Sequence, residues 1–231
     1  FHSYNWSVDF SPAGHTVAAG YGGLCGYDVL RLWDLGTPAH SPPLQSGHTS
    51  HVNGVAFSPD GQTIASISED DCTARLWDLQ KPISATAVLS GPTTLGNAIA
   101  FSPDGNTLAT GGADEGIVRL WDLTKPTASP VPLKGTSNSG TALNFSPDGS
   151  MLAAAEREAV RIWYLHDLKN GPTELHPYGQ PLWAVAFSPD SLLLAEGGLD
   201  RVVQVWNLRQ QGAHPPVTKL EGHTGTVNSL A

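Results

Sequence analysis

Five copies of one short motif, Phe-Ser-Pro, divide the 231-residue chain into units of nearly equal length. Its phenylalanines are Phe10, Phe57, Phe101, Phe145 and Phe187, separated by 47, 44, 44 and 42 residues. A second motif, Leu-Trp-Asp-Leu or a close variant, falls once in each unit, at Trp33, Trp77, Trp121, Trp163 and Trp206. A repeat of about 20–50 residues indicates an architecture in which each unit buries its apolar surface against its neighbours.

The second unit shows the expected secondary structure of a repeat. Residues 52–57, 62–68, 73–79 and 86–90 are short runs rich in β-branched and aromatic residues. Ser-Pro-Asp-Gly at 58–61 separates the first two runs and supplies the dihedral angles of a tight turn. Because no stretch of useful length follows a helical period, we expect an all-β fold with four strands in about 43 residues.

Composition restricts the classes of partner. The net charge is −9, with 21 acidic against 12 basic residues and no local cluster of Lys and Arg, which argues against nucleic acid. No apolar run is long enough to span a membrane. The two cysteines, Cys25 and Cys72, form neither a disulfide framework nor a metal site, so we expect free thiols and a cytoplasmic protein.

Three motifs at this spacing carry a family resemblance. Gly-His at 47–48, Val-Ala-Phe-Ser-Pro-Asp-Gly at 55–61 and Arg-Leu-Trp-Asp-Leu at 75–79 resemble the WD-repeat β-propeller, in a bacterial-type form, along essentially the whole chain. The resemblance implies four-stranded antiparallel blades around a central channel. The expected blades span residues 1–46, 47–90, 91–134, 135–176 and 177–221, with 222–231 as the first strand of a further blade.

The last ten residues raise the question of blade number. The next phenylalanine of the repeat is due nine residues after His223, and this position lies beyond residue 231. The resemblance implies seven blades as the commonest ring, so we expect a truncated chain whose natural form continues for two more blades. A closed ring of five blades and an open arc completed by another chain are the alternatives.

The resemblance also implies a structural network in each blade. It joins the Gly-His histidine, an aspartate between the second and third strands, and the tryptophan of the Trp-Asp motif. The second unit has all three, as His48, Asp71 and Trp77, whereas the fifth has Asp200 and Trp206 without the histidine. We therefore expect most blades to depend on apolar packing.

Nothing in the sequence predicts catalysis, a metal or a cofactor. His48 and His51 are three residues apart, but no cysteine or carboxylate cluster completes a metal site. The glycine-rich stretch at 20–26 lacks the third glycine and the following helix of a dinucleotide-binding loop. An enzyme with its active site at the channel mouth remains the alternative, and it would need polar groups that converge there.

Two tryptophans outside the Trp-Asp motif suggest where a partner binds. Trp6 and Trp183 each lie four residues before the phenylalanine of their unit. In WD-repeat propellers this position rims the channel, where peptides dock, and large aromatic residues are enriched at binding hot spots. Packing of both indoles between blades is the alternative. Residues at the same or neighbouring positions, and in the long turn of the first unit, complete the candidates: Tyr4, Trp6, Tyr21, Tyr27, His51, Asn53, Leu95, Asn97 and Trp183.

The sequence therefore predicts a non-catalytic scaffold or sensor module, of the kind found in signalling proteins. Its expected partner is a protein or peptide docked on the top face around the channel.

Overall fold

A computed structural model describes residues 4–22, 30–37, 43–44, 47–68, 71–81, 87–90, 98–111, 117–125, 127–133, 142–157, 159–175, 180–209 and 218–231. These residues form twenty strands in five four-stranded antiparallel sheets, and one short 3-10 turn at Leu168–Asn170. In every sheet the four strands pair in the order in which they follow along the chain.

The strands of the first three sheets have the following bounds. The first sheet contains β1 (Tyr4–Phe10), β2 (Thr16–Gly22), β3 (Leu30–Asp34) and β4 (Pro43–Leu44). The second contains β5 (Gly54–Phe57), β6 (Thr63–Ser68), β7 (Thr73–Asp78) and β8 (Ala87–Ser90). The third contains β9 (Ala98–Phe101), β10 (Thr107–Gly111), β11 (Val118–Asp122) and β12 (Val131–Leu133).

The remaining two sheets repeat this pattern. The fourth contains β13 (Ala142–Phe145), β14 (Met151–Ala155), β15 (Val160–Tyr164) and β16 (Thr173–Leu175). The fifth contains β17 (Leu182–Phe187), β18 (Leu193–Gly198), β19 (Val203–Asn207) and β20 (Thr218–Leu220). The predicted all-β fold of four-stranded antiparallel blades is confirmed.

The turn after the first strand has the same construction in successive sheets. In the second sheet the Ser58 hydroxyl donates to Asp60 Oδ1 at 2.6 Å and accepts the Thr63 N–H at 2.9 Å. The hydrogen bond from Ser58 also holds the pKa of Asp60 below its usual range. Gly61 follows with φ +67°, a left-handed conformation that glycine adopts without steric cost.

Each pair of adjacent sheets buries one apolar cluster. Val55, Phe57 and Trp77 of the second sheet pack against Ala18 and Leu30 of the first. Equivalent clusters join the second to the third sheet, the third to the fourth, and the fourth to the fifth. The small residues of one sheet thus receive the phenylalanine and tryptophan of the next.

The five sheets do not close into a ring, and the first sheet keeps one face uncovered within the described residues. Val8 and Phe10 are 62% and 60% exposed, whereas Val55 and Phe57 at the same positions of the second sheet are 5% and 7% exposed. The side chains that pack against a preceding sheet in the second unit therefore face solvent in the first sheet.

The C-terminal segment, residues 226–231, lies against the side of the fifth sheet that faces away from the fourth sheet. The Val227 N–H donates to the Gly198 carbonyl at 2.9 Å, just as the Leu182 N–H of β17 donates to Glu156 of the fourth repeat at 3.3 Å. Gly197 permits this approach, because a Cβ there would lie 2.6 Å from Val227 Cγ1. The segment thus contacts the fifth sheet as β17 contacts the fourth, although its residues are not paired as a strand.

Candidate functional site

The first strands of the five sheets surround a cavity of about 480 Å³. Aliphatic residues recur in its lining at equivalent positions of β1, β5, β9, β13 and β17, but most of the surface that faces the cavity is polar. The C-terminal segment contributes Leu230 and its neighbours to the same cavity. The aliphatic residues of the wall include Val8, Val55, Ala56, Ile99, Ala100, Leu143, Ala184, Val185 and Leu230.

Two polar side chains of this wall, Asp9 and Asn144, bind backbone groups of the adjacent strand. Asp9 Oδ2 accepts the Phe57 N–H at 2.7 Å, and Asn144 Oδ1 accepts the Phe187 N–H at 3.0 Å. Burial raises the pKa of Asp9, although the N–H groups of Phe57 and Phe10 partly offset the rise. These two side chains tie neighbouring sheets together along the channel.

Trp183 lies at the edge of the cavity on β17 and is 44% exposed. A β-bulge interrupts the pairing of β17 with β18 between Leu182 and Ala184, which is at the tryptophan itself. The pairing of β1 with β2 shifts in the same way between Asn5 and Ser7, around Trp6. The two tryptophans of this repeat position therefore share a local backbone irregularity, which turns a residue away from the regular alternation of the strand.

The other candidate positions are only partly described. His51 and Asn53 are half-buried just before β5, where the Asn53 N–H donates to the Ile67 carbonyl at 2.9 Å. Tyr4 and Tyr21 lie in β1 and β2, but their side chains, like that of Trp6, are outside the described part. Tyr27, Leu95 and Asn97 are entirely outside the described residues.

The second sheet contains a buried chain of hydrogen bonds that includes three sequence-predicted residues. The Trp77 indole donates to Ser66 Oγ at 2.9 Å, and Ser66 Oγ lies 2.8 Å from His48 Nε2. His48 Nδ1 lies 2.7 Å from Asp71 Oδ2. With His48 neutral and protonated on Nδ1, every group has a partner of the correct polarity, since the serine then donates to Nε2.

Asp71 completes this chain and closes the turn between β6 and β7. Burial alone would raise its pKa, but hydrogen bonds from Thr73, His48 and the Thr49 N–H, with the electrostatic attraction of the His48 imidazole, hold the pKa below its usual range. The Thr73 hydroxyl donates to Asp71 Oδ1 at 2.7 Å. Hydrogen bonds therefore hold both oxygens of the Asp71 carboxylate.

The network is shorter or altered in the other sheets. The Trp121 indole donates to Thr110 Oγ1 at 3.0 Å in the third sheet. In the fifth sheet Trp206 faces Glu196 rather than a hydroxyl, and its indole nitrogen has no hydrogen-bond partner. Asp200 lies in the turn after β18, where its backbone-directed Oδ1 accepts the Val202 N–H at 3.2 Å.

The sequence interpretation missed the hydroxyl at the centre of the network. Ser66 and Thr110 both follow the phenylalanine of their unit by nine residues. Counting forward from Phe57 and Phe101, in addition to counting back from the tryptophans, would have found both. Asp9 and Asn144, each directly before its phenylalanine, carry a weaker signal of the same kind.

Groups suited to metal binding do not converge among the described residues, where no set of three or more His, Cys, Asp and Glu side chains is close enough to hold an ion. Cys72 lies half-buried in the turn before β7. None of the helical segments that the structure describes is long and apolar enough to cross a membrane.

A comparison with family models matches three parts of the chain. The model for the WD domain, G-beta repeat, matches residues 41–78, 85–122 and 173–207. Each match ends on the residue that follows the tryptophan of β7, β11 or β19. The matches thus coincide with the repeat that the motifs define.

Proposed function

Because the chain is a WD-repeat protein, we propose that it is a non-catalytic scaffold or sensor module that docks a protein or peptide at the mouth of its channel. WD40 repeats generally bind protein partners and are typically non-catalytic. The docking surface in this proposal is centred on Trp183. Signalling in a bacterial cytoplasm is the setting we propose for it.

The observation that carries the proposal is a large, partly exposed indole at the edge of the central cavity. Trp183 is 44% exposed, and Val55, Ile99 and Val185 line the cavity that it borders. Tryptophan is enriched among the residues that dominate protein binding energy. An indole that served only to pack between sheets would be buried like Trp163, which is 1% exposed.

The alternative function, an enzyme at the channel mouth, finds less support. Asp9 is the acidic side chain among the described residues that line the cavity. Both of its oxygens accept backbone N–H groups, from Phe10 at 2.9 Å and Phe57 at 2.7 Å. A carboxylate held in this way is positioned for structure, and no second acid lies beside it in the described wall.

Replacing Trp183 with alanine tests the proposal. A peptide selected from a random library on the wild-type protein should bind the Trp183→Ala variant at least about 30-fold more weakly, which corresponds to about 2 kcal/mol. The melting temperature should change little because the indole is partly exposed. Isothermal titration calorimetry and thermal unfolding provide the two measurements.

Val88→Ala is the matched control, since Val88 is 50% exposed on β8, the outer strand of the second sheet. This variant should bind the selected peptide with wild-type affinity. A large loss of stability in Trp183→Ala, or equal binding by both variants, would support packing between sheets and contradict the docking proposal.

We further propose that, in the functional protein, a four-stranded blade of the same kind covers the open face of the first sheet within a seven-bladed ring. The support is the contrast between Phe10 at 60% and Phe57 at 7% exposure.

The intact mass of the protein purified from its natural source tests the proposal of further blades. A mass well above 24.3 kDa would support blades in the same polypeptide. A mass of 24.3 kDa would contradict a seven-bladed ring within a single chain and would leave a second chain to supply the blade.

A further inference from the structure

A carboxyl group replaces the network hydroxyl in the fifth sheet. Glu196 follows Phe187 by nine residues, the spacing that places Ser66 and Thr110 in the second and third sheets. Its exposure is 0%, and its strand neighbours Leu194 and Trp206 belong to the apolar cluster between the fourth and fifth sheets. Glu196 therefore lies inside a sheet-to-sheet junction.

No group around Glu196 makes a hydrogen bond of good geometry with it. Neither carboxyl oxygen has a hydrogen-bond partner, and the same holds for Gln204 Oε1 and the Trp206 indole nitrogen. Gln204 is directly opposite Glu196 in the β18–β19 pair. Arginine occupies the Gln204 position in the other four sheets, two residues before each tryptophan: Arg31, Arg75, Arg119 and Arg161.

The fourth sheet shows what an arginine at this position does. Arg161 binds Glu156, and its Nη2 lies 2.9 Å from Glu174 Oε1. The fifth sheet has lost this cation while it has gained a carboxyl group. A buried ionised carboxylate without a partner is costly, and such a group normally becomes neutral instead.

The surface opposite Glu196 supplies no charge among the described residues. The side of the fourth sheet that faces the fifth is apolar on β14, where Met151, Ala153 and Ala155 belong to the shared cluster. β15 contributes Val160 and Ile162, with Tyr164 as its titratable member. Within the fifth sheet, Asp200 and Lys219 are the charged groups that act on Glu196.

We propose that the junction between the fourth and fifth sheets is a proton-dependent contact, which is closed while Glu196 carries a proton and loosens when this residue ionises. The neutral acid has one O–H donor and one carbonyl acceptor. The O–H can donate to Gln204 Oε1, and the carbonyl oxygen can accept the Trp206 N–H; neither of these two groups has another hydrogen-bond partner. The carboxylate has no donor for Gln204 Oε1 and carries a charge into an apolar junction.

The titration of Glu196 agrees with this geometry. Burial raises its pKa to about 8, and the Asp200 charge contributes to the rise, while Trp206 and Lys219 lower it in part. The indole is near enough to favour the charged form, although it makes no hydrogen bond of good geometry. Because the folded state then binds a proton more tightly than the unfolded state, stability falls between about pH 4.5 and pH 8 and levels off above.

Glu196→Gln tests the proposal, because the amide keeps the shape and cannot ionise. The wild-type and variant unfolding constants should converge near pH 5. By pH 8.5 the wild type should unfold more readily, by on the order of a hundredfold in the ratio of the two constants. Urea unfolding at five values of pH measures this ratio.

Glu221→Gln is the matched control, since Glu221 is exposed one residue after β20. It makes the same change of charge and should leave the pH dependence of wild-type stability intact. Glu196→Thr, which restores the residue type of the third sheet, should abolish the pH dependence even if the smaller side chain lowers stability.

Amide hydrogen exchange localises the effect. At pH 8.5, amides of β18 should exchange faster in the wild type than in Glu196→Gln, whereas amides of β6 should exchange equally in both proteins. A stability difference that is the same at pH 5.5 and pH 8.5 would overturn the proposal. Faster exchange that is uniform over all sheets would overturn its placement at this junction.

Discussion

Replacing His48 with alanine should lower the free energy of unfolding by about 2–3 kcal/mol, because the network loses the group that links Ser66 to Asp71. Ser66 would lose its acceptor, and Asp71 would keep its charge without the imidazole N–H at 2.7 Å. A loss of this size lowers the melting temperature of a domain of this length by roughly 5–10 °C. Urea unfolding and calorimetry measure the two quantities.

His223→Ala provides the matched control for His48. Both histidines stand in a Gly-His-Thr sequence, but His223 is exposed whereas His48 is 7% exposed. The His223 variant should therefore retain wild-type stability. Peptide binding at the channel mouth should survive in both variants; lost binding with an unchanged melting temperature in His48→Ala would assign His48 to the binding site instead.

The fold could be predicted from the sequence because its signals are local and repeated. The Ser-Pro-Asp-Gly turn after Phe57 fixes where β5 ends and β6 begins, and Trp77 marks the end of β7. The strand expected at 73–79 is observed at Thr73–Asp78, and the run at 86–90 at Ala87–Ser90. Turn chemistry and apolar alternation depend on few neighbours, so a single repeat suffices to predict them.

The environment of a repeat position could not be predicted from its spacing. Phe10 and Phe57 occupy the same place in their units, yet one faces solvent and the other is buried, because burial depends on whether a sheet lies opposite. Glu196 was overlooked for a related reason. Gln204 replaces the arginine that the other four units have at its position, but the sequence of β18 does not show that Glu196 and Gln204 are neighbours. The pairing of β18 with β19 brings the two residues together.

The two phenylalanines also supply the largest expected difference between matched variants. Phe57→Ala should cost about 3–5 kcal/mol, since it removes a side chain that is 7% exposed and leaves a cavity between the first and second sheets. Phe10→Ala, at 60% exposure, should cost less than about 1 kcal/mol in the 231-residue chain. Urea unfolding midpoints of the two variants, compared at one pH, measure the difference.

The same pair of variants tests whether a further blade covers the first sheet. In a polypeptide or assembly that supplies such a blade, Phe10 becomes a junction residue, and its replacement should then cost as much as that of Phe57. If Phe10→Ala remains harmless in the protein isolated at its natural length, the open face of the first sheet is not a blade junction. Equal and large costs already in the 231-residue chain would contradict the exposure of Phe10 itself, because burial between packed sheets is the source of the penalty.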